Sequence, residues 1–396
     1  MVRFAHISDV HLGGWKQQPL QDLNFQSFQK TIDRCIKEKL DFVLIVGDLF
    51  DSAYPPIEIL KKTFAEFRRL KEANIPCFIV AGSHDYSVSG KSFLDVLEKA
   101  GFCKNVADFE KVEDKLYLNP TLYKGVALYG YPGKKSGLEI EDLRKVKLHD
   151  SPGMFKVLML HTTLDKAKGT LPIDSLSTEE VPKADYYALG HLHIDFQYEN
   201  FVYPGPTFPN NFQELEDLNY GGFYLVDTNS PDSLHKVDIK LKEVEPIEIN
   251  LTNALTANEK IISEINKREI QNKIVLLRIK GNLETGKSSD IKFPKIEEHA
   301  KNKGAYFILK NTHDLKMKEV ELGIDVEDTE NIEEETIKLY SEQNPSDFNS
   351  LISQLINQLS IEKQEDEKTN TFIKRLLEGV KKVIQFKDEN KKNNSQ

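Results

Sequence analysis

Cysteine is scarce in this chain: its 396 residues include three, Cys35, Cys77 and Cys103. An odd number with no Cys-x-x-Cys pair argues against a disulfide framework and against a cysteine-held zinc, and fits a reducing compartment. Long apolar runs are missing as well. No stretch approaches the roughly 20 residues of a membrane-spanning helix, so no membrane association is expected. Residues 2–8 read as a strand, not as a basic segment leading into an apolar one, which gives the expectation of no secretory signal and a cytoplasmic protein. Internal repeats are absent. So is a surplus of positive charge, the usual footprint of a nucleic-acid binder: 53 Lys and Arg face 63 Asp and Glu, a net charge of −10.

That deficit is local. From Glu319 to Glu335 there are nine acidic residues and no basic ones, a block of the kind that stays solvated and disordered. Residues 1–318 are nearly balanced, with 43 basic and 45 acidic side chains, and residues 371–387 are net +4. The acidity therefore marks a linker and does not exclude DNA.

What is present is an alternation of strand and helix patterns through about residue 245. Residues 24–40 carry Phe25, Phe28, Ile32 and Ile36 at helical spacing. Phe42–Val46 is an unbroken apolar run, as expected of a strand covered on both faces. A helix is predicted over 58–73, a strand over 77–81, and a helix over 92–100 closed by Gly101. Residues 126–130, 156–160 and 186–190 repeat the strand pattern. Strands at 201–203, 223–227 and 236–241 then arrive without helices, so an α/β layer followed by a β-rich layer is expected. A small α/β module should span 246–318, with helices at 257–267 and 296–303 and strands at 273–280 and 305–309. An acidic linker over 319–347 leads to two amphipathic helices, 348–359 and 371–386, joined by a polar segment at 362–370. Residues 388–396 read as a disordered tail.

The chemistry lies where these strands end. Asp9 and His11 follow the first, Asp48 the second, and Ser83 and His84 the third; His161 ends a later strand, and His191 and His193 follow another. In open α/β sheets ligands bind outside the carboxyl ends of the strands. The i, i+2 spacing of Asp9 with His11 and of His191 with His193 places each pair on one side of an extended segment. Imidazole with carboxylate suits Mn, Fe or Zn, and Asp48 is placed to bridge two ions about 3.5–4 Å apart. Gly47, Gly82 and Gly190 sit where the backbone must turn sharply. His6, inside a strand, reads as a core residue; His149, His235, His299 and His313 read as surface or loop histidines.

This order (DxH, GDxxD, GxHD, a lone His, then GHxH) resembles the calcineurin-like metallophosphoesterase superfamily over residues 1–245. The resemblance implies a two-layered β-sandwich flanked by helices, with two metals at one edge. One metal would take Asp9, His11, Asp48 and His193, and the other Asp48, Ser83, His161 and His191. His84 would contact the scissile phosphate or protonate the leaving oxygen. The family has Asn where this chain has Ser83, so either a weak hydroxyl ligand or a water is expected there, with reduced affinity at the second metal. It also often has His at the place of Asp51.

Pro55, the Tyr203-Pro204-Gly205 turn, the α/β module and the helical tail look like one branch: the double-strand-break repair nucleases (SbcD-like) that partner an SMC-like ABC ATPase. The branch implies a Mn-dependent nuclease with two Mn²⁺ per chain, Mg, Fe and Zn remaining open. It would act as a 3′–5′ exonuclease on double-stranded DNA and an endonuclease on single strands or hairpins, in the cytoplasm at the nucleoid. It implies a homodimer, for which Leu60, Phe64, Phe67, Phe93, Leu94 and Leu97 form either the seam or simply core. The ATPase would bind the last helix through Phe372, Ile373, Leu376, Leu377, Val380, Val383 and Ile384. Rival expectations are a small-molecule or nucleotide phosphodiesterase and a non-catalytic scaffold on the same fold.

Overall fold

The computed structural model describes residues 2–86, 92–170, 172–230, 234–317, 348–361 and 369–390, with a few more between 337 and 346. The chain divides into two units, residues 1–317 and 318–396.

In the first unit, two six-stranded sheets form the body. One sheet runs in the order His235–Ile239, Gly221–Asp227, Arg3–Ile7, Phe42–Val46, Cys77–Val80, Lys104–Asn105. Its last four strands are parallel, and the two from later in the chain add antiparallel. The other sheet runs Phe196–Tyr198, Phe201–Tyr203, Tyr186–Gly190, Phe155–His161, Val126–Tyr131, Thr121–Tyr123. Its four central strands are parallel, from Phe201–Tyr203 to Val126–Tyr131.

Side-chain alternation within Phe42–Val46 explains its unbroken apolar run. Phe42, Leu44 and Val46 enter the core between the sheets with Phe4, Val157, Met159 and Tyr186. Val43 and Ile45 face the opposite way, onto a second core. That core is closed by the helices Gln18–Lys37, Ile57–Glu72 and Phe93–Lys99. Gly101 follows the last of these at φ +72° and ends it as expected. The outer face of the second sheet is covered by a three-stranded sheet and the short helix Glu139–Leu143. The result is the expected α/β fold, a two-layered sandwich flanked by helices.

Three expectations are corrected. The strands after Gly190 do not form a separate β-rich layer: two join each sheet, because the sandwich closes on strands distant in sequence. They are not free of helix either, since Phe212–Leu218 is helical, capped by Asn211, whose side chain accepts the Glu214 amide. The small module begins at the strand Val244–Asn250, not at Pro246. That strand pairs in parallel with Ile274–Leu283, which pairs with Phe307–Asn311 and Leu315–Met317. The helices Ala257–Asn266 and Phe293–Asn302 cover one face of this sheet. Its other face meets the body through Ile274, Leu276 and Leu309, packed with Trp15, Leu20, Leu23, Phe208 and Leu215.

In the second unit, a 3₁₀ turn Asn349–Leu351 leads into the helix Ile352–Leu359, and a longer helix spans Thr369–Asn390. The last helix therefore begins two residues earlier than expected and takes in residues 388–390. The acidic block 319–335, residues 362–368 and the end from 391 lie outside the described residues.

Candidate metal centre

The carboxyl ends of the parallel strands in both sheets form one crest, and the expected residues collect there. Asp9, Asp48 and His161 are buried, as is His11; Ser83, His191 and His193 are half-buried, and His84 is the most open. Extended geometry does not bring the pairs together, contrary to the spacing argument. Asp9, His11, Asp48 and His191 have φ of +51°, +47°, +50° and +98°. The chain turns back at each, so that side chains from successive loops face one another across the crest. Glycine makes room for them. A Cβ on Gly47 or Gly190 would overlap His161 or the Val46 carbonyl, and one on Gly82 would overlap Asp48.

Hydrogen bonds fix which imidazole nitrogen is left bare. His161 Nδ1 lies 3.1 Å from the Val46 carbonyl, which can only accept, so Nδ1 carries the proton. Nε2, buried, then faces Asp48 Oδ2 at 3.2 Å and is the ring nitrogen left for a metal. His11 Nδ1 meets Asp51 Oδ1 at 3.1 Å, and His193 Nδ1 meets Glu214 Oε1 at 2.9 Å. Their Nε2 atoms face each other at 3.1 Å, a pairing that needs a shared proton or a cation. Three imidazoles thus present Nε2 to two buried carboxylates, the tautomer pattern of metal-ligating histidine.

Charge makes the same point. Burial raises the Asp48 carboxyl, but the imidazoles of His161, His11 and His84 outweigh it and hold the group well below the usual carboxylate range. Burial lowers His161, yet Asp48 and Asp9 together push it up to about 10. Burial, and then His161, bring His191 down to about 4, which keeps it neutral and able to ligate.

Three groups of side chains bring one ligand atom each within 4.8 Å of one another: Asp9, His11 and His193; Asp9, Asp48 and His161; and His11, Asp48 and His84. The first holds three of the four residues expected at one metal, and Asp48 falls in the other two groups. In the second, Asp9 stands where Ser83 and His191 were expected. Ser83 Oγ lies 3.4 Å from Asp48 Oδ2. The His191 ring stacks edge-on against His161, with centroids 5.1 Å apart. His84 is bound to the site through its backbone amide, 2.7 Å from Asp48 Oδ1, and its Nδ1 lies 2.9 Å from the Asp51 carbonyl. A cleft of about 910 Å³ opens beside it, lined by His84, His191, Tyr54, Tyr86, Lys134 and Lys135 among others.

Two polar residues of the site escaped sequence reading. Asp85, buried, accepts the amides of Leu49, Phe50 and Gly82 and so ties two ligand loops together. Burial, with Asp48 nearby, raises it to about 6. Its place directly after His84 was a signal that went unused. Glu214 lies 21 residues from His193; its one sequence sign was the capping pattern Asn211-x-x-Glu214.

Other expected residues lie elsewhere. His6 is fully buried, His235 and His313 are exposed, His149 and His299 are half-buried, and none of these five reaches the crest. Leu60, Phe67, Leu94 and Leu97 are buried in the core beneath the first sheet, and Phe64 and Phe93 pack against it. Helical spacing points the four buried ones into this chain's own core. Among the last-helix residues, Ile373, Leu377 and Ile384 are exposed; Phe372, Leu376, Val380 and Val383 are half-buried. No helix among the described residues is long and apolar enough to cross a membrane.

The sequence is similar to those of known proteins. The pattern of the calcineurin-like phosphoesterases matches residues 2–195. The chain belongs to that family, and its centre is that of a metal-dependent phosphoesterase. Relatives are similar over more than half of the chain. The DNA double-strand break repair protein Mre11 of Methanocaldococcus jannaschii is 32% identical over 280 residues, covering 66% of this chain and 72% of that protein. The protein of the same name from Archaeoglobus fulgidus is 28% identical over 315 residues, 71% and 69% of the two chains. The uncharacterized metallophosphoesterase YhaO of Bacillus subtilis is 27% identical over 252 residues, 58% of each.

Proposed function

We propose that this chain is the nuclease subunit of a double-strand-break repair complex, cutting DNA phosphodiesters with two Mn²⁺ ions. The observation that carries the reading is the convergence of Asp9, Asp48 and three imidazole Nε2 atoms beside a lysine-flanked cleft. The names of the relatives choose DNA among phosphoesters.

Asp9, His11 and His193 would hold one cation, and Asp48 and His161 the other, with Ser83 and His191 completing the second. Bound there, the cations would supply Lewis acidity to the phosphate oxygens and lower the pKa of water. The chain's own residues do the rest. Asp48 is fixed between the two halves of the centre by the His84 amide. His84 spends Nδ1 on the Asp51 carbonyl, so Nε2 is the atom available to a phosphate oxygen or to the leaving oxygen. Lys134 and Lys135 flank the cleft where a phosphate backbone would lie.

The finer reading is a 3′–5′ exonuclease on double-stranded DNA, with endonuclease action on single strands or hairpins. The exposed Ile373, Leu377 and Ile384 give an SMC-like ATPase an apolar helical face to grip. A homodimer also belongs to this reading. Its surface on the helices Ile57–Glu72 and Phe93–Lys99 would use exposed residues such as Ile57 and Val96.

The test is cleavage of linear DNA and of p-nitrophenyl phosphodiesters with Mn²⁺, with and without the ATPase. Cleavage of the small ester alone would overturn the DNA reading in favour of a small-molecule phosphodiesterase.

A further inference from the structure

The short helix Phe212–Leu218 touches the metal centre on one side and the α/β module on the other. On the first side, Glu214 Oε1 lies 2.9 Å from His193 Nδ1. The same carboxylate accepts the Asn210 amide at 2.8 Å, which fixes its plane. Gln213 and Glu216 are nearly one turn apart, on a face roughly opposite Glu214. There Arg278, from the module strand Ile274–Leu283, reaches Glu216 Oε2 at 2.6 Å and Gln213 Oε1 at 2.8 Å. Its guanidinium also stacks 5.0 Å above the Phe212 ring. Leu215, fully buried, plugs the apolar contact with Ile274, Leu276 and Leu309. Phe212, Gln213, Leu215 and Glu216 are thus held by the module, while Glu214 holds a metal ligand.

We propose that this helix couples the module to the metal centre: Glu214 is a positioning residue for His193, and the Arg278 grip sets how tightly the His193 side holds its cation. Glu214 keeps the His193 proton on Nδ1 and the ring in one plane, which leaves Nε2 as the ligand atom. The helix is about two turns long and moves as one piece. A module displacement that drags Glu216 by an ångström carries Glu214 with it and breaks a 2.9 Å hydrogen bond. The proposal rests on the metal-centre reading but not on DNA as the substrate.

The experiment is calorimetric titration of Mn²⁺ into the metal-stripped full chain. Glu214→Ala should weaken one of the two sites about 10- to 100-fold, and Glu214→Gln, which still accepts from Nδ1, should recover part of that loss. Arg278→Met, which touches no ligand, should weaken the same site about fivefold or more. In the double variant Arg278→Met should add nothing, because the relay is already cut. Parent-like Mn²⁺ binding by Arg278→Met, or a loss that adds in full to that of Glu214→Ala, would overturn the coupling. If Arg278→Met does not fold, Glu216→Gln removes the grip from the other side and carries the same expectation. Binding needs no DNA, so this result and the cleavage assay fail independently.

Discussion

Acid should destabilise the sandwich through a histidine that plays no part in the centre. His6 is fully buried in the strand Arg3–Ile7. The Leu189 carbonyl can only accept, so Nε2–H donates to it at 3.1 Å, and Nδ1 receives the Tyr186 hydroxyl at 2.9 Å. Both ring nitrogens are satisfied in the neutral form. Burial brings the group down to about 3 from an ordinary 6.5, the Leu189 bond opposing only in part. The unfolded chain therefore takes up a proton near pH 6.5 and the folded chain does not until about pH 3. The stability His6 contributes is complete above pH 6.5 and is lost as pH falls through 3. At about 1.4 kcal/mol per tenfold difference in proton affinity the full effect is roughly 5 kcal/mol, and about 3 kcal/mol of it falls between pH 7.5 and 4.5. Denaturant unfolding at those two pH values, in chelator, measures it on the parent and on His6→Gln. Every other titrating group is common to both proteins, so the difference of differences isolates His6. The parent should lose about 3 kcal/mol more than the variant; equal losses would show that His6 does not stay neutral in the fold.

Gly47→Ala should weaken Mn²⁺ binding on the His161 side by more than about tenfold, because a Cβ there overlaps the His161 ring and φ is +79°; unchanged calorimetric affinity would refute the cradle. Phe67→Ala should cost about 3–5 kcal/mol of unfolding free energy, since the ring is fully buried; loss of a dimer with no loss of subunit stability would return Phe67 to an interface. His84→Ala should keep both Mn²⁺ affinities within a few fold while slowing phosphodiester cleavage about 10²- to 10⁴-fold; near-normal cleavage would remove His84 from the reaction.

Strand ends carried most of the centre into view before any coordinates. Asp9, His11, Asp48, His161, His191 and His193 each follow or end an apolar run, and such runs are readable because a strand covered on both faces is apolar throughout. The short strands from Lys104–Asn105 to Thr121–Tyr123 and the helix Phe212–Leu218 were not readable. They are too brief for a period to emerge, and the helix is held by contacts distant in sequence. Glu214 was hidden for the same reason: its partner His193 is close only because the loop after Phe201–Tyr203 returns to the crest. The six apolar residues weighed as a seam show the opposite limit. Helical spacing identifies an apolar face, but it does not say whether that face meets a neighbour or the chain's own sheet.

The backbone at the centre explains why ligand identity was legible and ligand geometry was not. Left-handed conformations cost an ordinary residue about 1–2 kcal/mol, and Asp9, His11, Asp48 and His191 all adopt them. Gly advertises such a turn in sequence most openly; an Asp or His does so far less. The strain is held by bonds between loops: the Asp9 amide to the Gly47 carbonyl, the His11 amide to the Asp48 carbonyl, and the amides gathered by Asp85. Two buried carboxylates, Asp9 and Asp48, add their own cost. The centre is thus a place where the fold gives up local stability to aim side chains at common points. A divalent cation offsets both terms at once, by neutralising the carboxylates and by bonding the atoms that the strained backbone has aimed. Metal binding and the stability of the crest are therefore linked.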